Sequence, residues 1–299
     1  MAVLCVGEIL WDVFGAQELL GGAPLNFASN LKRLGHEALL FSAVGDDVRG
    51  ARARLAMHER GLDLSLVATV DDFPTGTAEV VTDASGNASY SIPRPAAFDR
   101  ALLTEPVLEK IHAQKPAWIY FGTLAQTEPE SEARLLALLA SQPVLRRLYD
   151  MNLREGHWNL ALVERLSAVT DLLKLNEVEA ETLWRLTRPN EPFTFEAFCQ
   201  EWTRRYDFEL ICITLGSTGC AIYTGGKLMQ FPGYPVRVED TVGAGDAFTA
   251  AYLHGHMAGW PIERCAHFAN ALGALITSRA GATPEWTVEE VEALIATKR

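Results

Sequence analysis

Short apolar runs alternate along the chain with longer segments in which apolar residues recur every three or four positions. Val3–Leu10, Ala38–Val44, Trp118–Phe121, Arg147–Asp150, Leu172–Leu175 and Leu210–Leu215 read as buried strands. Helical patterns follow several of them, at Pro24–Leu34, Asp47–Arg60, Glu130–Leu139, Val178–Leu186 and Phe195–Arg205. This alternation predicts a layered α/β fold with a mostly parallel sheet. Leu62–Val70, Gly76–Thr82 and Ala88–Ile92 break the pattern, being short alternating strands in succession with a turn at Asp83–Asn87 between the last two. They predict a small antiparallel piece interrupting the α/β body. No internal repeat, low-complexity tract or linker divides the chain, so residues 1–299 read as one domain.

Composition narrows the function classes. At 299 residues and 48% hydrophobic content the chain can bury a large core. Its 26 Lys+Arg against 38 Asp+Glu leave a net charge of -12 with no basic stripe, which argues against nucleic acid as a partner. The five cysteines are scattered and never spaced as a metal or redox pair, so a disulfide framework and a zinc site are both disfavoured and a reducing, cytoplasmic setting is expected. Glu8 and Asp12 interrupt the first apolar stretch, which is then neither a signal peptide nor a membrane span. The glycosylation-type triplet at Asn87 reads as a chance match.

Two glycine pairs carry candidate chemistry. In "DTVGAGDAF", Gly243, Ala244, Gly245 and Asp246 open a helix that runs to about Met257. First-turn amides have no partner within a helix, and together with the helix dipole they suit an anion such as phosphate. Asp246 beside such an anion is repelled unless it has a task, and receiving a proton from an attacking hydroxyl is one. A plain helix cap would use the same residue types. No GxxxxGK[ST] is present, and Phe248 stands where a dinucleotide fingerprint wants Gly or Ala. In "LGGAPLNFA", Gly21 and Gly22 precede a helix with Pro24 and Asn26 in its first turn. Asp12 is read as the end of the first strand. An acid and an amide at that place suit vicinal hydroxyls, although a solvated strand end and an ordinary helix start would look the same.

Together these segments resemble the ribokinase-like (pfkB) family of sugar kinases, in the expected order over nearly the whole chain. "KLNEVEAETL" has the family's N-x-x-E spacing at Asn176 and Glu179, and "TLGSTG" resembles the turn around the nucleotide, with Thr214, Gly216 and Gly219. The resemblance implies a central, mostly parallel sheet with helices on both faces and a small β lid, formed by segments within about 12–22 and 62–96. It implies ATP and Mg²⁺ as cofactors, with Asn176 and Glu179 near the metal and its waters. K⁺ is a further candidate, held by backbone carbonyls of Asp240 to Val242 and Arg279 to Thr283. Asp246 would be the base, the amides of Gly243 to Asp246 would stabilise the moving phosphoryl group, and Asp12, Gly21, Gly22 and Asn26 would hold the sugar. A helix-start Asp is expected to be a weaker base than a free one. "DMNLRE" resembles an element of fructokinase-like members: Asp150, Asn152 and Arg154 would leave a strand on one side, with Arg154 clamping phosphate oxygens.

The late helix offers small residues, Ala269, Ala271 and Gly273, beside which a purine could lie, with Asn270 a further candidate for binding the nucleotide. The sequence around the first glycine pair is closer to fructokinases than to ribokinases, so D-fructose phosphorylated to fructose 6-phosphate is the expected reaction, with Phe98 and Ala97 walling the ring. The runner-up acceptor is 2-keto-3-deoxygluconate, whose carboxylate Arg94 would read. Ribose and adenosine are expected to be poorer. A non-catalytic sugar or nucleotide sensor on the same fold is the rival from another class, and an oxidoreductase is disfavoured. Exposed lid edges leave a homodimer open.

Overall fold

The computed structural model describes residues 1–82, 88–142 and 144–297. The turn expected at Asp83–Asn87, Asn87 included, lies outside the described residues. Among the described residues thirteen strands, numbered in chain order, form two sheets. The nine-stranded sheet runs β13 (Lys227–Pro232), β12 (Gly219–Thr224), β11 (Leu210–Thr214), β10 (Leu172–Asn176), β9 (Arg146–Asp150), β8 (Trp118–Gly122), β1 (Ala2–Val6), β4 (Glu37–Gly45) and β5 (Val67–Val70). Neighbours from β5 to β11 pair in parallel, and β12 and β13 close one edge as an antiparallel ribbon. The small sheet runs β3 (Gln17–Gly21), β2 (Leu10–Phe14), β6 (Gly76–Thr82) and β7 (Ala88–Ser91).

Strand side chains alternate between two faces, and each face has its own core. Val3, Cys5, Leu40, Tyr120 and Cys212 pack with α1 (Ala23–Arg33), α2 (Val48–Glu59), α8 (Ala244–Met257), α9 (Ile262–Thr277) and α10 (Val288–Ala296). Their neighbours Leu4, Val6, Phe41, Phe121 and Ile213 pack on the other side with α3 (Glu105–Gln114), α4 (Pro129–Ser141), α5 (Leu160–Ser167), α6 (Glu177–Thr187) and α7 (Phe195–Tyr206). Burial on both sides is why the central strands are apolar at successive positions. All five cysteines are buried and free. Among the described residues no helix is long and apolar enough to cross a membrane.

Two expectations are corrected. The first apolar run is not one strand: β1 ends at Val6, the chain leaves the large sheet, and Leu10 begins β2 in the small one. Asp12 therefore sits in mid-strand in the small sheet rather than at the end of the first core strand. Leu62–Val70 does not belong to the small sheet either. Its strand part, Val67–Val70, pairs parallel to Ser42–Gly45 and forms the far edge of the large sheet. The small sheet's own strands lie within 10–21 and 76–91.

Candidate active site

A cavity of about 230 Å³ lies between the small sheet and the carboxyl end of the large one. Leu10, Asp12 and Phe14, alternate residues of β2, face it, as strand alternation requires. Ala78, Ile92 and Leu124 supply apolar wall, while Glu8, Gly22, Ala23, Asn26, Arg154, Thr241, Val242, Gly243 and Asp246 complete the lining. Gly21, opposite Leu10 in the ladder, makes room for the acid: a Cβ there would fall 2.7 Å from Asp12 Oδ2.

The floor is the start of α8. Gly243 caps the helix in the left-handed region (φ 78°), and a side chain there would lie 2.1 Å from the carbonyl of Ala282, so the loop needs glycine. Asp240 ties this loop down, accepting from the amides of Val242 (2.9 Å) and Gly281 (3.0 Å). Asp240 thus joins this loop to the segment after α9. Asp246 is not the cap. It is the third helical residue, and its Oδ2 accepts from Asn26 Nδ2 at 2.9 Å. A carboxylate only accepts, so this bond orients the amide and leaves Asn26 Oδ1 buried without a partner among the described residues.

Electrostatics corrects a further expectation. The helix start was expected to weaken Asp246 as a base. Burial, and then the nearby charge of Asp150, instead push its pKa up to about 7 against the lowering effects of Asn26, Lys174 and Arg154. Asp12 is likewise raised, to about 6, by burial, with Arg154 opposing. Beneath α8 lies a buried ion pair. Lys174 Nζ donates to Asp150 Oδ1 at 3.0 Å, while Thr249 Oγ1 donates to Asp150 Oδ2 at 3.0 Å. Burial pulls the Lys174 ammonium down, but the carboxylates of Asp150, Glu179 and Asp246 outweigh it and hold the pKa above its ordinary value. A Cβ on Gly245 would come within 3.2 Å of Lys174 Nζ, which puts this cation directly against the first turn of α8.

The decisive comparison is with protein families: the model of the pfkB family of carbohydrate kinases matches residues 5–288. The chain belongs to the pfkB family. Fructokinase-1 of Oryza sativa subsp. japonica is 30% identical over 283 residues, covering 90% of this chain and 85% of the rice protein. The 5-dehydro-2-deoxygluconokinase of Clostridium tetani is 27% identical over 289 residues, 94% of this chain and 85% of its own. Among solved structures, the ATP-bound fructokinase of Xylella fastidiosa superposes with a TM-score of 0.86 at 22% identity, covering 99% of this chain and 98% of that one. The fold is ribokinase-like.

In this pfkB carbohydrate kinase the expected residues divide. Asp12, Gly22, Asn26, Arg154, Val242, Gly243 and Asp246 meet at the cavity. Asn176 and Thr214 lie side by side in register at the ends of β10 and β11, with Gly216 and Gly219 in the turn that follows. Asn176 and Glu179 form a reciprocal cap on α6, Oδ1 accepting from the Glu179 amide and Oε2 from the Asn176 amide. Glu179 Oε1 accepts from Leu153 N at 2.7 Å, so the acid is buried and bonded rather than on a solvated helix face.

Five expected residues are placed otherwise than expected. Arg94 turns away from the cavity: its guanidinium is engaged by Asp99, the Leu124 carbonyl and Thr127 Oγ1, and its side chain is only 7% exposed. Phe98 does not wall the cavity, because its ring is buried beneath that guanidinium and against Gly76. Asn152 is absent from the lining. Its φ of 43° breaks the extended path that alternation assumed. Ala269 is fully buried in the helix core, closed to a purine, and Asn270 Nδ2 reaches the carbonyls of Phe231 and Pro232. Glu8 and Lys174 were not singled out, yet both stand as charged residues inside apolar runs, which was the available signal.

Proposed function

We propose that the chain transfers the γ-phosphoryl group of ATP to a hydroxyl of a neutral sugar, D-fructose first, giving fructose 6-phosphate. The observation that carries this reading is the buried Asp246 carboxyl, bonded to Asn26 and facing a polyol-sized cavity in the first turn of α8, with its pKa raised by burial to about 7. Asp12 and Asn26 hold sugar hydroxyls, and Asp246 accepts the proton of the attacking one. The first-turn amides of α8 and the Lys174 ammonium beneath them oppose negative charge on the phosphoryl group as it moves. In a loose transition state such positioning and charge stabilisation are the main catalytic terms. The small sheet acts as a lid that keeps water from the phosphoryl group.

Bound Mg²⁺ would neutralise charge on the ATP phosphates. The donors present suit contact through metal-bound water, since both Glu179 oxygens already accept backbone amides. Glu179→Ala is expected to cost about 0.5–2 kcal/mol through the lost cap and to raise the Mg²⁺ needed for half-maximal rate. Denaturant midpoints and Mg²⁺ titrations read the two effects separately. A lower midpoint with an unshifted titration leaves Glu179 as a cap alone. K⁺ at the Asp240 loop is a further proposal, read by the dependence of rate on K⁺ against Na⁺.

The sugar acid is the second reading, favoured by the Clostridium tetani relative's name and by Arg154 in the lining. A kcat/KM screen of D-fructose, 2-keto-3-deoxygluconate, ribose and adenosine at fixed MgATP is expected to rank fructose first. The fructose assignment fails if another acceptor exceeds it. Binding of sugar or ATP with no ATP consumption in the presence of any sugar would favour the sensor instead.

A further inference from the structure

Glu8 is an acidic lining residue to which the reaction above gives no part. It is 4% exposed, follows β1 where the chain crosses between the sheets, and lines the cavity. Its Oε1 accepts from the amide of Ala23, at the start of α1, at 3.2 Å. That bond fixes the carboxyl group in place. Its Oε2 is buried and has no partner among the described residues. A buried, unpaired carboxyl oxygen is costly unless something occupies its place. Asn26 Oδ1 is a second such oxygen lining the same cavity.

We propose that Glu8 is a specificity-determining residue, whose Oε2 pairs with a hydroxyl of the acceptor and whose carboxyl group turns away acceptors that carry an acid there. Both unpaired oxygens call for hydroxyl groups, which donate to them, and a ligand carboxylate brings no proton to either. The charges in the lining agree. Glu8, Asp12 and Asp246 face one cation, Arg154, while Arg94 is engaged elsewhere. This inference deepens the sugar-kinase reading and rests on it. It assigns the substrate class as neutral polyhydroxy sugars and places the filter at Glu8.

Glu8→Gln keeps the oxygen that Ala23 needs and puts an N–H₂ donor where Oε2 stands. Expected for fructose is a fall of roughly tenfold to a hundredfold in kcat/KM, the size of one lost hydrogen bond to a charged group. With 2-keto-3-deoxygluconate the fall is smaller or reversed, so the ratio between the two acceptors moves toward the acid by at least about tenfold. Thermal shifts with each sugar alone, without ATP, read the same discrimination as binding, and thermal shifts with MgATP check the fold. Equal losses for both acceptors, or an unchanged fructose value, overturn the proposal. A wild-type chain that binds fructose without phosphorylating it overturns the kinase reading and leaves Glu8 to be judged by binding. A wild-type chain that binds neither sugar overturns both. If Glu8→Gln does not fold, Glu8→Asp, which keeps the charge and withdraws it by one methylene, is expected to lose fructose affinity while still refusing the acid.

Discussion

Asp246→Asn is expected to fold, to bind MgATP and to lose turnover by about 10²–10⁴-fold, the range for a positioned acid–base group. The substitution keeps the oxygen that Asn26 Nδ2 bonds, so geometry survives while proton affinity goes. The pH profile separates this from a packing defect. Asp246 works as a base only when ionised, and burial, with Asp150, raises its pKa to about 7. Wild-type kcat/KM should therefore climb as pH rises toward 7 and level off above it. Asp12, raised to about 6, adds a second, lower inflection. In Asp246→Asn the upper inflection disappears. Stability responds in the opposite sense. A carboxyl raised from 3.8 to about 7 binds an extra proton in the folded state, so wild type loses stability relative to the variant as pH rises from about 4 through about 7. Wild-type turnover in Asp246→Asn, or an inflection only near 4 in the native enzyme, would remove Asp246 from the reaction.

Lys174→Met is expected to be the most destabilising single change. The Lys174 and Asp150 side chains are 10% and 0% exposed, and removing the ammonium leaves Asp150 as an uncompensated charge in the core. Breaking such a pair costs about 3–5 kcal/mol, on the order of 10 °C in melting temperature for a domain of this size. Thr249 still donates to Asp150, which sets a limit on the loss. Lys174 also lowers the pKa of Asp246, so in any folded fraction the kinetic inflection should move above 7. The double change Lys174→Met with Asp150→Asn should recover much of the stability, because the stranded charge is then gone. A melting point within a degree or two of wild type for Lys174→Met alone would mean that water reaches the pair.

The layered fold was legible because β1, β4, β8 and β10 are buried on both faces and so carry apolar residues at successive positions. The glycine pairs were legible for a similar reason: bare backbone is local chemistry. Asp246 and Asn26 could be named from their own neighbourhoods, but not the bond between them. What the sequence hid was tertiary. The helix dipole argues for a low pKa at Asp246, and only the folded burial reverses it. Arg94 looked free because Asp99 must turn back across a proline-rich bend to engage it. Val67–Val70 alternates like a strand of the small sheet, and its place at the edge of the large one is decided by β4, which it pairs. Glu8 showed in the sequence only as a charge inside an apolar run, because its partner, the Ala23 amide, arrives only once β2 and β3 have folded back.

The Asn26 to Asp246 bond joins residues 220 positions apart, on helices that pack together only in the finished fold. The cavity is therefore assembled from distant parts of the polypeptide, and neither part encloses it alone. During synthesis, everything up to the loop at Asp240 can emerge and begin to fold while Asp246 is still missing. Fragments left by proteolysis between α1 and α8 are in the same position. An unfinished or severed chain therefore lacks one side of this cavity.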